Sequence, residues 1–363
     1  MEIFPIDQIT VDKAKLMQFR LVESISHHFD GDSILDAGDY GVNQAGGRPL
    51  QTQKAEKALA EFFHAEEACL VRGSGTGALR TLLMAVAGPN QPILIHAAPV
   101  YATTAVTFRA MGLKPLMIDM NDLASVYKAQ LAGVKLALIQ HARQQMHDRY
   151  SLHSVIEFIK SVDPSIFIIT DENYLVCKVE RIGIELGADA SAFSTFKLLG
   201  PEGVGCILGN TKIIQAIRKD LYSGGSQVQG AEAMDVLRSM VLAPVAFAIQ
   251  KEVVDETVSV LKQKKIAGIR DAFIANAQSR VILVEFEKPI AKEVLKQAVQ
   301  LGAAPHPVGS ESRYEIAPMF YRVSGTFLRE DPTLADRMIR INPMRSGSGL
   351  ILDILKKSIE KAG

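Results

Sequence analysis

Seven short apolar runs mark the first 210 residues: ACLVRG (68–73), PILIHA (92–97), KPLMID (114–119), VKLALIQ (134–140), SIFIITD (165–171), ASAFS (190–194) and VGCILG (204–209). Each is nearly continuous in hydrophobicity instead of alternating, which is the pattern of strands covered on both faces. Between them lie windows of helical period such as TGALRTLLMAVAG (76–88) and LHSVIEFIKSV (152–162). Strands alternating with helices predict βαβ units and a mainly parallel, seven-stranded α/β sheet. The last two runs are too close for a helix and predict a hairpin.

Beyond residue 210 the period turns helical, in TKIIQAIRKDLYSGG and in a long stretch interrupted at Pro244. RVILVEFE (280–287), a helix near 290–301, strands near 314–322 and 337–342 and a closing helix from about 348 form an α+β unit of their own. The expected division is an N-terminal arm over 1–35, a large α/β domain over 36–250 and a small α+β domain over 251–363. No internal repeat or low-complexity segment interrupts it.

Composition narrows the class. A hydrophobic content of 48% supports sizeable cores, and 6% aromatic residues without tryptophan argue against a stacking surface for nucleic acid. Lys+Arg 40 balances Asp+Glu 40, so no global field recruits nucleic acid or an acidic membrane. Cys69, Cys177 and Cys206 are scattered and odd in number, which predicts a reducing compartment with neither a disulfide framework nor a zinc cage. The N-terminus lacks a secretory pattern and no apolar stretch has membrane-spanning length, so a soluble cytoplasmic protein is expected. His27 and His28 are adjacent, so their rings diverge on a helix or a strand, and no metal site is expected there.

Three features carry chemistry. VRGSGTGALRTLL (71–83) sets Gly73, Ser74, Gly75, Thr76 and Gly77 between a strand and a helix. Glycines let the backbone approach an anion, the helix N-terminus offers unpaired N–H groups, and Ser74 and Thr76 add hydroxyls. A phosphate suits such a cup, although a plain tight turn with an N-cap has the same composition. The spacing matches neither GxGxxG nor a P-loop, so dinucleotide and nucleotide readings are disfavoured. Asp171 closes the apolar run FIITD, and ligands of open α/β sheets lie beyond the carboxyl ends of strands. A carboxylate there can hold a cationic ring nitrogen or simply cap a solvated turn.

Lys197 lies among Phe193, Phe196, Leu198 and Leu199. A lysine so placed either snorkels to the surface or is desolvated towards the neutral amine that a Schiff base requires. Phosphate cup, strand-end acid and lysine together form the set that pyridoxal 5′-phosphate (PLP) needs for its phosphate, ring nitrogen and aldehyde.

GADASAFSTFKLLGPEGVGCILG (187–209), TDENY (170–174) and PVYATT (99–104) are similar to the lysine segment, the acidic strand end and the ring-stacking segment of fold type I PLP-dependent enzymes. That group includes aminotransferases, cysteine desulfurases and cystathionine lyases. GDYGVNQAGGRPL (38–50), FHAEEACLVRGSGTGALRTLL (63–83) and IQHARQQMHDRYSLHSVIEFI (139–159) resemble its cystathionine-lyase-like branch linked to aluminium resistance, and most of all the YhfS-type, aminotransferase-like proteins.

The resemblance implies roles by position. Lys197 would carry PLP, Asp171 would hold the ring nitrogen, and Tyr101 would stack on the ring. Ser74, Gly75, Thr76 and Ser194 would hold the phosphate. Phe196 stands where some relatives have a threonine, which leaves Thr195 as a replacement hydroxyl. Ser226 and Gln227, in YSGGSQVQG (222–230), would reach the phosphate of a neighbouring subunit. His141, Arg143 and Asn173 are the candidates for the phenolic oxygen.

A substrate carboxylate calls for a bidentate arginine. MIRINPMRSG (338–347) suggests Arg340 first and Arg345 second, with Arg48 entering from the partner chain. A homodimer with interfacial sites, acting on a small amino-acid-like substrate, is implied. Transamination is the leading expectation, β- or γ-elimination the alternative, and a catalytically idle PLP-binding regulator the reading of another class.

Overall fold

The computed structural model describes residues 3–41, 47–263, 266–275, 280–307 and 311–363. Positions 42–46 of GDYGVNQAGGRPL therefore lie outside the described residues. The chain divides into two compact units, one of Asp12–Ala142 and Tyr150–Pro244, the other of Met1–Val11, Arg143–Arg149 and Val245–Gly363.

The larger unit is built on seven strands: β1 (Glu67–Arg72), β2 (Pro92–His96), β3 (Lys114–Ile118), β4 (Leu136–Gln140), β5 (Phe167–Asp171), β6 (Ala190–Ser194) and β7 (Val204–Gly209). They form one sheet in the order β1-β7-β6-β5-β4-β2-β3, with β7 antiparallel to both neighbours and the other pairs parallel. Around it lie α1 (Val11–His28), α2 (Leu50–Phe62), α3 (Ser74–Val86), α4 (Ala102–Met111), α5 (Leu152–Val162) and α6 (Thr211–Asp220).

The near-continuous apolar runs have the expected cause. Along β4 and β5, Leu138 and Ile169 pack into one core with Leu79 and Leu82 of α3, while Ala137, Ile139 and Ile168 pack into another with Val155 and Ile159 of α5. Successive strand residues point to opposite faces, so a strand covered on both sides must be apolar throughout. Its polar residues are left for the ends.

The stretch around Pro244 departs from expectation. It is one helix, α7 (Gly230–Gln263), with the proline inside. An interior proline costs about 3 kcal/mol, and the adjoining Ala243, Phe247 and Ala248 are buried, an apolar gain that outweighs one lost hydrogen bond.

The second unit carries β8 (Ile269–Ile274), β9 (Ile282–Phe286), β10 (Met319–Arg322) and β11 (Met338–Asn342), antiparallel in the order β10-β11-β9-β8. With them come α8 (Ala291–Gln300), α9 (Gly325–Glu330), α10 (Leu334–Arg337) and α11 (Ser348–Ala362). Val284, Phe286, Phe320, Ile339 and Ile341 form the core against Val294 of α8 and Ile354 of α11. β8 escaped the pattern analysis because it is an edge strand, with Arg270 and Asp271 exposed in mid-strand.

The histidine pair also differs from expectation, since both rings meet one carboxylate. His27 Nδ1 lies 2.6 Å from Glu61 Oε1 and His28 Nε2 lies 2.8 Å from Oε2. One ring uses its near nitrogen and the other its far one, which compensates for their diverging Cβ directions. Among the described residues no set of three His, Cys, Asp or Glu side chains could hold a metal ion, and no helix is long and apolar enough to cross a membrane. Cys69, Cys177 and Cys206 are buried and unbridged.

A buried acid ties α2 to the sheet. Glu56 is 1% exposed; its Oε1 accepts the Leu70 N–H at 2.9 Å, and its Oε2 takes Arg218 at 3.0 Å as well as Arg48. Removing one member of such a cluster leaves uncompensated charge inside the protein. Glu56→Gln is expected to lose about 3–5 kcal/mol, measured as an earlier urea midpoint of the unfolding curve; a midpoint within error of the wild type would contradict it.

Candidate active site

Strands β1, β5 and β6 run parallel to one another, so their carboxyl ends meet at one edge of the sheet. β1 leads into α3 through Gly73 (φ 91°) and Ser74 (φ 57°), both left-handed. The amides of Gly73 and Ser74 donate to the Gly203 carbonyl at 2.8 and 3.2 Å, and the first bond within α3 runs from Gly77 N–H to Gly73 O at 2.8 Å. Gly75 and Thr76 therefore sit in the turn whose amides a helix leaves without a backbone acceptor, at the positive end of its dipole. Ser74 Oγ lies 2.6 Å from Ser194 Oγ, and Thr76 Oγ1 donates to Thr103 Oγ1 at 3.1 Å. Sequence-predicted Ser74, Gly75, Thr76 and Ser194 are thus brought together as an anion cup.

Thr195 does not join it. Its hydroxyl is fully buried and donates to the Val204 carbonyl at 2.9 Å, because the turn after β6 directs it into the hairpin with β7. No hydroxyl at that position replaces the one that Phe196 lacks.

Asp171 ends β5 with 7% exposure. Its Oδ1 accepts from Asn173 N at 3.1 Å and from Asn173 Nδ2 at 2.6 Å. Burial pushes its carboxyl up, against these two bonds and the charge of Lys197. Asn173 Oδ1 is itself buried without a hydrogen-bond partner. It rests on Gly75: a Cβ there would come within 1.9 Å of it. The glycine that opens the cup is also what admits the side chain that holds Asp171. A buried carboxylate bonded only to a neutral amide, beside an anion cup, fits a ligand with a cationic ring nitrogen and a phosphate.

Lys197 lies on the short 3₁₀ turn Phe196–Leu198 and is half-buried. Beyond the apolar neighbours expected from the sequence, it meets aromatic rings from elsewhere in the chain. Phe193 points the other way, its ring 5.5 Å from that of Phe63, and Leu198 is buried, whereas the Lys197 ammonium lies 3.6 Å from the Tyr174 ring centroid and 5.9 Å from that of Tyr101. Two phenol rings flank the amine. Tyr101 is the N-cap residue of α4, and the Tyr174 phenol and then burial push its own phenol up, against the Lys197 charge. Tyr174 had no assigned role in the sequence; its signal is an aromatic three residues after Asp171, where a turn brings such positions close.

Of the candidates for a ligand's phenolic oxygen, His141 has Nδ1 2.6 Å from Glu172 Oε2, while Glu172 Oε1 accepts the Gly183 N–H at 2.8 Å. Arg143 donates to the Phe4 carbonyl. Asn173 remains beside Asp171.

The loop candidates stand apart. Gln227 is buried and donates to the carbonyls of Gly47 and Tyr222, at 3.0 and 3.1 Å, so it is a tie within the chain. Among the described residues the Ser226 side chain shares no hydrogen bond with the cup. Arg48 is turned inward onto Glu56 instead of outward to a partner chain, because the buried carboxylate needs a cation.

In the other unit the two arginines differ. Arg340 Nε donates to the Arg322 carbonyl at 2.8 Å, with its guanidinium 4.2 Å over the Tyr321 ring. Arg345 is held more loosely, by Gln250 Oε1 at 3.4 Å and the Met344 carbonyl at 3.5 Å, and burial pushes its guanidinium pKa down.

Comparison with known proteins gives the family of the chain. The chain matches the aminotransferase class-V family over residues 48–236 and the YhfS-like C-terminal domain over 255–355. It is 47% identical to the protein YhfS of Escherichia coli strain K12 over 360 residues, covering 99% of each chain. The crystal structure of the pyridoxal-5′-phosphate dependent protein YhfS from Escherichia coli superposes with a TM-score of 0.96 at 46% identity, covering 99% of this chain and 100% of that one. A cystathionine γ-synthase from Xanthomonas oryzae pv. oryzae, at 15% identity and TM-score 0.73 (95% and 98% covered), and a methionine γ-lyase from Micromonospora echinospora, at 15% and 0.72 (94% and 98%), share the fold.

The raised Asp171 carboxyl has a thermodynamic consequence. Its folded-state pKa lies above the unfolded value, so the folded chain holds the proton more tightly and loses that stability as pH rises from the ordinary aspartate range through the raised value. In the cofactor-free protein, Asp171→Asn is expected to unfold at a higher urea concentration than wild type at neutral pH. The gap should close below the ordinary aspartate range. A variant less stable at every pH would show that the charged carboxylate is favoured by the fold.

Proposed function

The chain belongs to the aminotransferase class-V family, whose members use PLP, and on that premise we propose a PLP-dependent enzyme of fold type I that transaminates a small amino acid. The observation that carries the reading is one edge of the sheet at which an anion cup, a buried carboxyl hydrogen-bonded only to Asn173 and a lysine flanked by two phenols come together. When bound, PLP supplies an electron sink for bonds at the substrate's Cα.

The protein supplies the rest. Ser74, Ser194, Thr76 and the amides of Gly75 and Thr76 hold the phosphate, and the helix dipole favours its charge. Asp171, kept in place by Asn173, ionises against the ring N–H; the ion pair offsets the burial that otherwise keeps its proton on. Lys197 is the amine that holds the aldehyde. Lys197 would also be the base placed to move the substrate's Cα proton. Tyr101 offers a ring face, and Tyr174, beside the lysine nitrogen, is the phenol we assign to the cofactor's phenolic oxygen. Arg345 is assigned the substrate carboxylate, because an exposed guanidinium with two long hydrogen bonds has fork donors to offer. The homodimer implied by the resemblance belongs to the same proposal.

Borohydride reduction of the PLP-loaded protein should fix the cofactor on the peptide containing Lys197, with none fixed in Lys197→Ala. Fixation at another lysine, or equal fixation in the variant, would overturn the assignment. Loaded protein offered an amino acid and a keto acid should exchange the amino group; release of ammonia without the keto acid would instead identify a lyase. For the amino acid turned over, Arg345→Lys should raise KM roughly tenfold with kcat little changed, since a point charge replaces a bidentate fork. An unchanged KM would remove Arg345 from the substrate.

A further inference from the structure

Two adjacent carbonyls at the start of β7 hold the anion cup and the lysine turn at once. The Gly203 carbonyl accepts the amides of Gly73 and Ser74, at 2.8 and 3.2 Å, and so anchors the turn into α3. The Val204 carbonyl, next along the chain, accepts the Thr195 N–H at 3.1 Å and the Thr195 hydroxyl at 2.9 Å. Consecutive carbonyls of an extended strand point to opposite sides, so one reaches towards β1 and the other towards β6. The strand runs close under the cup: a Cβ on Gly205 would come within 2.3 Å of the Ser74 carbonyl oxygen.

Thr195 in turn closes the loop that carries Lys197. Its carbonyl accepts the Leu198 N–H at 2.9 Å and the Gly200 N–H at 3.0 Å, so Lys197 lies inside a turn closed twice on one atom. Leu199 completes that turn in the left-handed region, at φ 65°, a conformation disfavoured for a residue with a side chain. Such strain persists only where the surroundings over-determine it. A Cβ on Gly200 would meet the Thr195 carbonyl oxygen at 2.7 Å, so the closure needs glycine there. Thr195 is fully buried. Its hydroxyl is not required to satisfy the Val204 carbonyl, because the Thr195 N–H already does so. The hydroxyl ties the same residue down a second time.

We propose that Thr195 is a positioning residue for Lys197: its hydroxyl bond to Val204 sets the lysine turn at a fixed reach from the cup. This role rests on the cofactor reading above, because a ligand with both an aldehyde and a phosphate is what needs a fixed reach. Once one of its groups is bound, the other contact becomes effectively intramolecular, and a small misplacement forfeits much of that gain. The hydroxyl that the cup leaves out thus serves the lysine instead.

In the test, cofactor-free full-length protein is offered PLP or pyridoxal, which has the same aldehyde without the phosphate. The amine condenses with the aldehyde and releases water, and borohydride then reduces the C=N bond. Label on the Lys197 peptide is followed in time by mass spectrometry. Wild type should label faster with PLP than with pyridoxal. Thr195→Val keeps the shape and leaves the Val204 carbonyl bonded to an N–H. In that variant the advantage of PLP should fall roughly tenfold or more, with the pyridoxal rate within about twofold of wild type. Thr195→Ser, which restores the hydroxyl, should recover the wild-type ratio. Thr195→Ala takes the place of Thr195→Val if that variant folds poorly.

A wild type without preference for PLP, a ratio unchanged in Thr195→Val, or a serine variant no better than valine would each overturn the positioning role. So would an equal loss with both aldehydes, which is what a merely structural defect gives. The cofactor reading fails separately, and in the wild type alone, if Lys197 takes up no label from PLP; that result removes this role with it.

Discussion

The candidate site is organised around a carboxylate kept inside the protein with only a neutral amide as its hydrogen-bond partner. Asp171 accepts twice from Asn173, and Asn173 has room because position 75 lacks a Cβ. Burying a carboxylate in this way disfavours its charged form, so the arrangement is held by the fold and not by its own electrostatics. The buried acid, the orphan Asn173 oxygen and the paired serine hydroxyls are the observations on which the proposed ligand, carrying both a cation and a phosphate, rests.

Glu56 shows the opposite solution in the same unit. It is at least as deeply buried, but two guanidiniums and a backbone amide surround it. Glu56 is bonded directly to its cations, whereas Asp171 is bonded only to Asn173 and feels the Lys197 charge without a hydrogen bond to it. That contrast, more than burial alone, separates the Asp171 edge from the rest of the sheet. It also explains why Arg48, a candidate for substrate binding by sequence, is already engaged.

Much of the architecture was legible because strands covered on both faces leave little choice of residue. The apolar runs at 92–97, 134–140, 165–171, 190–194 and 204–209 coincide with observed strands to within a residue or two. The cup could be read because left-handed turns at a helix start call for glycine and small hydroxyl residues. Legibility failed where the outcome depends on distant neighbours. Pro244 stays helical because its surroundings are buried, His27 and His28 converge because Glu61 lies between them, and β8 hides its strand character at an edge.

Hydrophobic period and glycine placement, being local, determined the βαβ order of the larger unit, the α+β character of the second, and the order of cup, Tyr101, Asp171 and Lys197 along the chain. The tertiary structure decided which groups face one another. It turned Phe193 away from Lys197, set Tyr174 against the amine, committed Thr195 to Val204 and Arg48 to Glu56, and left Arg345 exposed with only long hydrogen bonds. The physical reason is the same in each case. Where a side chain points is settled by strand alternation and by the unpaired charge nearest to it, and that charge generally belongs to a residue far away in sequence.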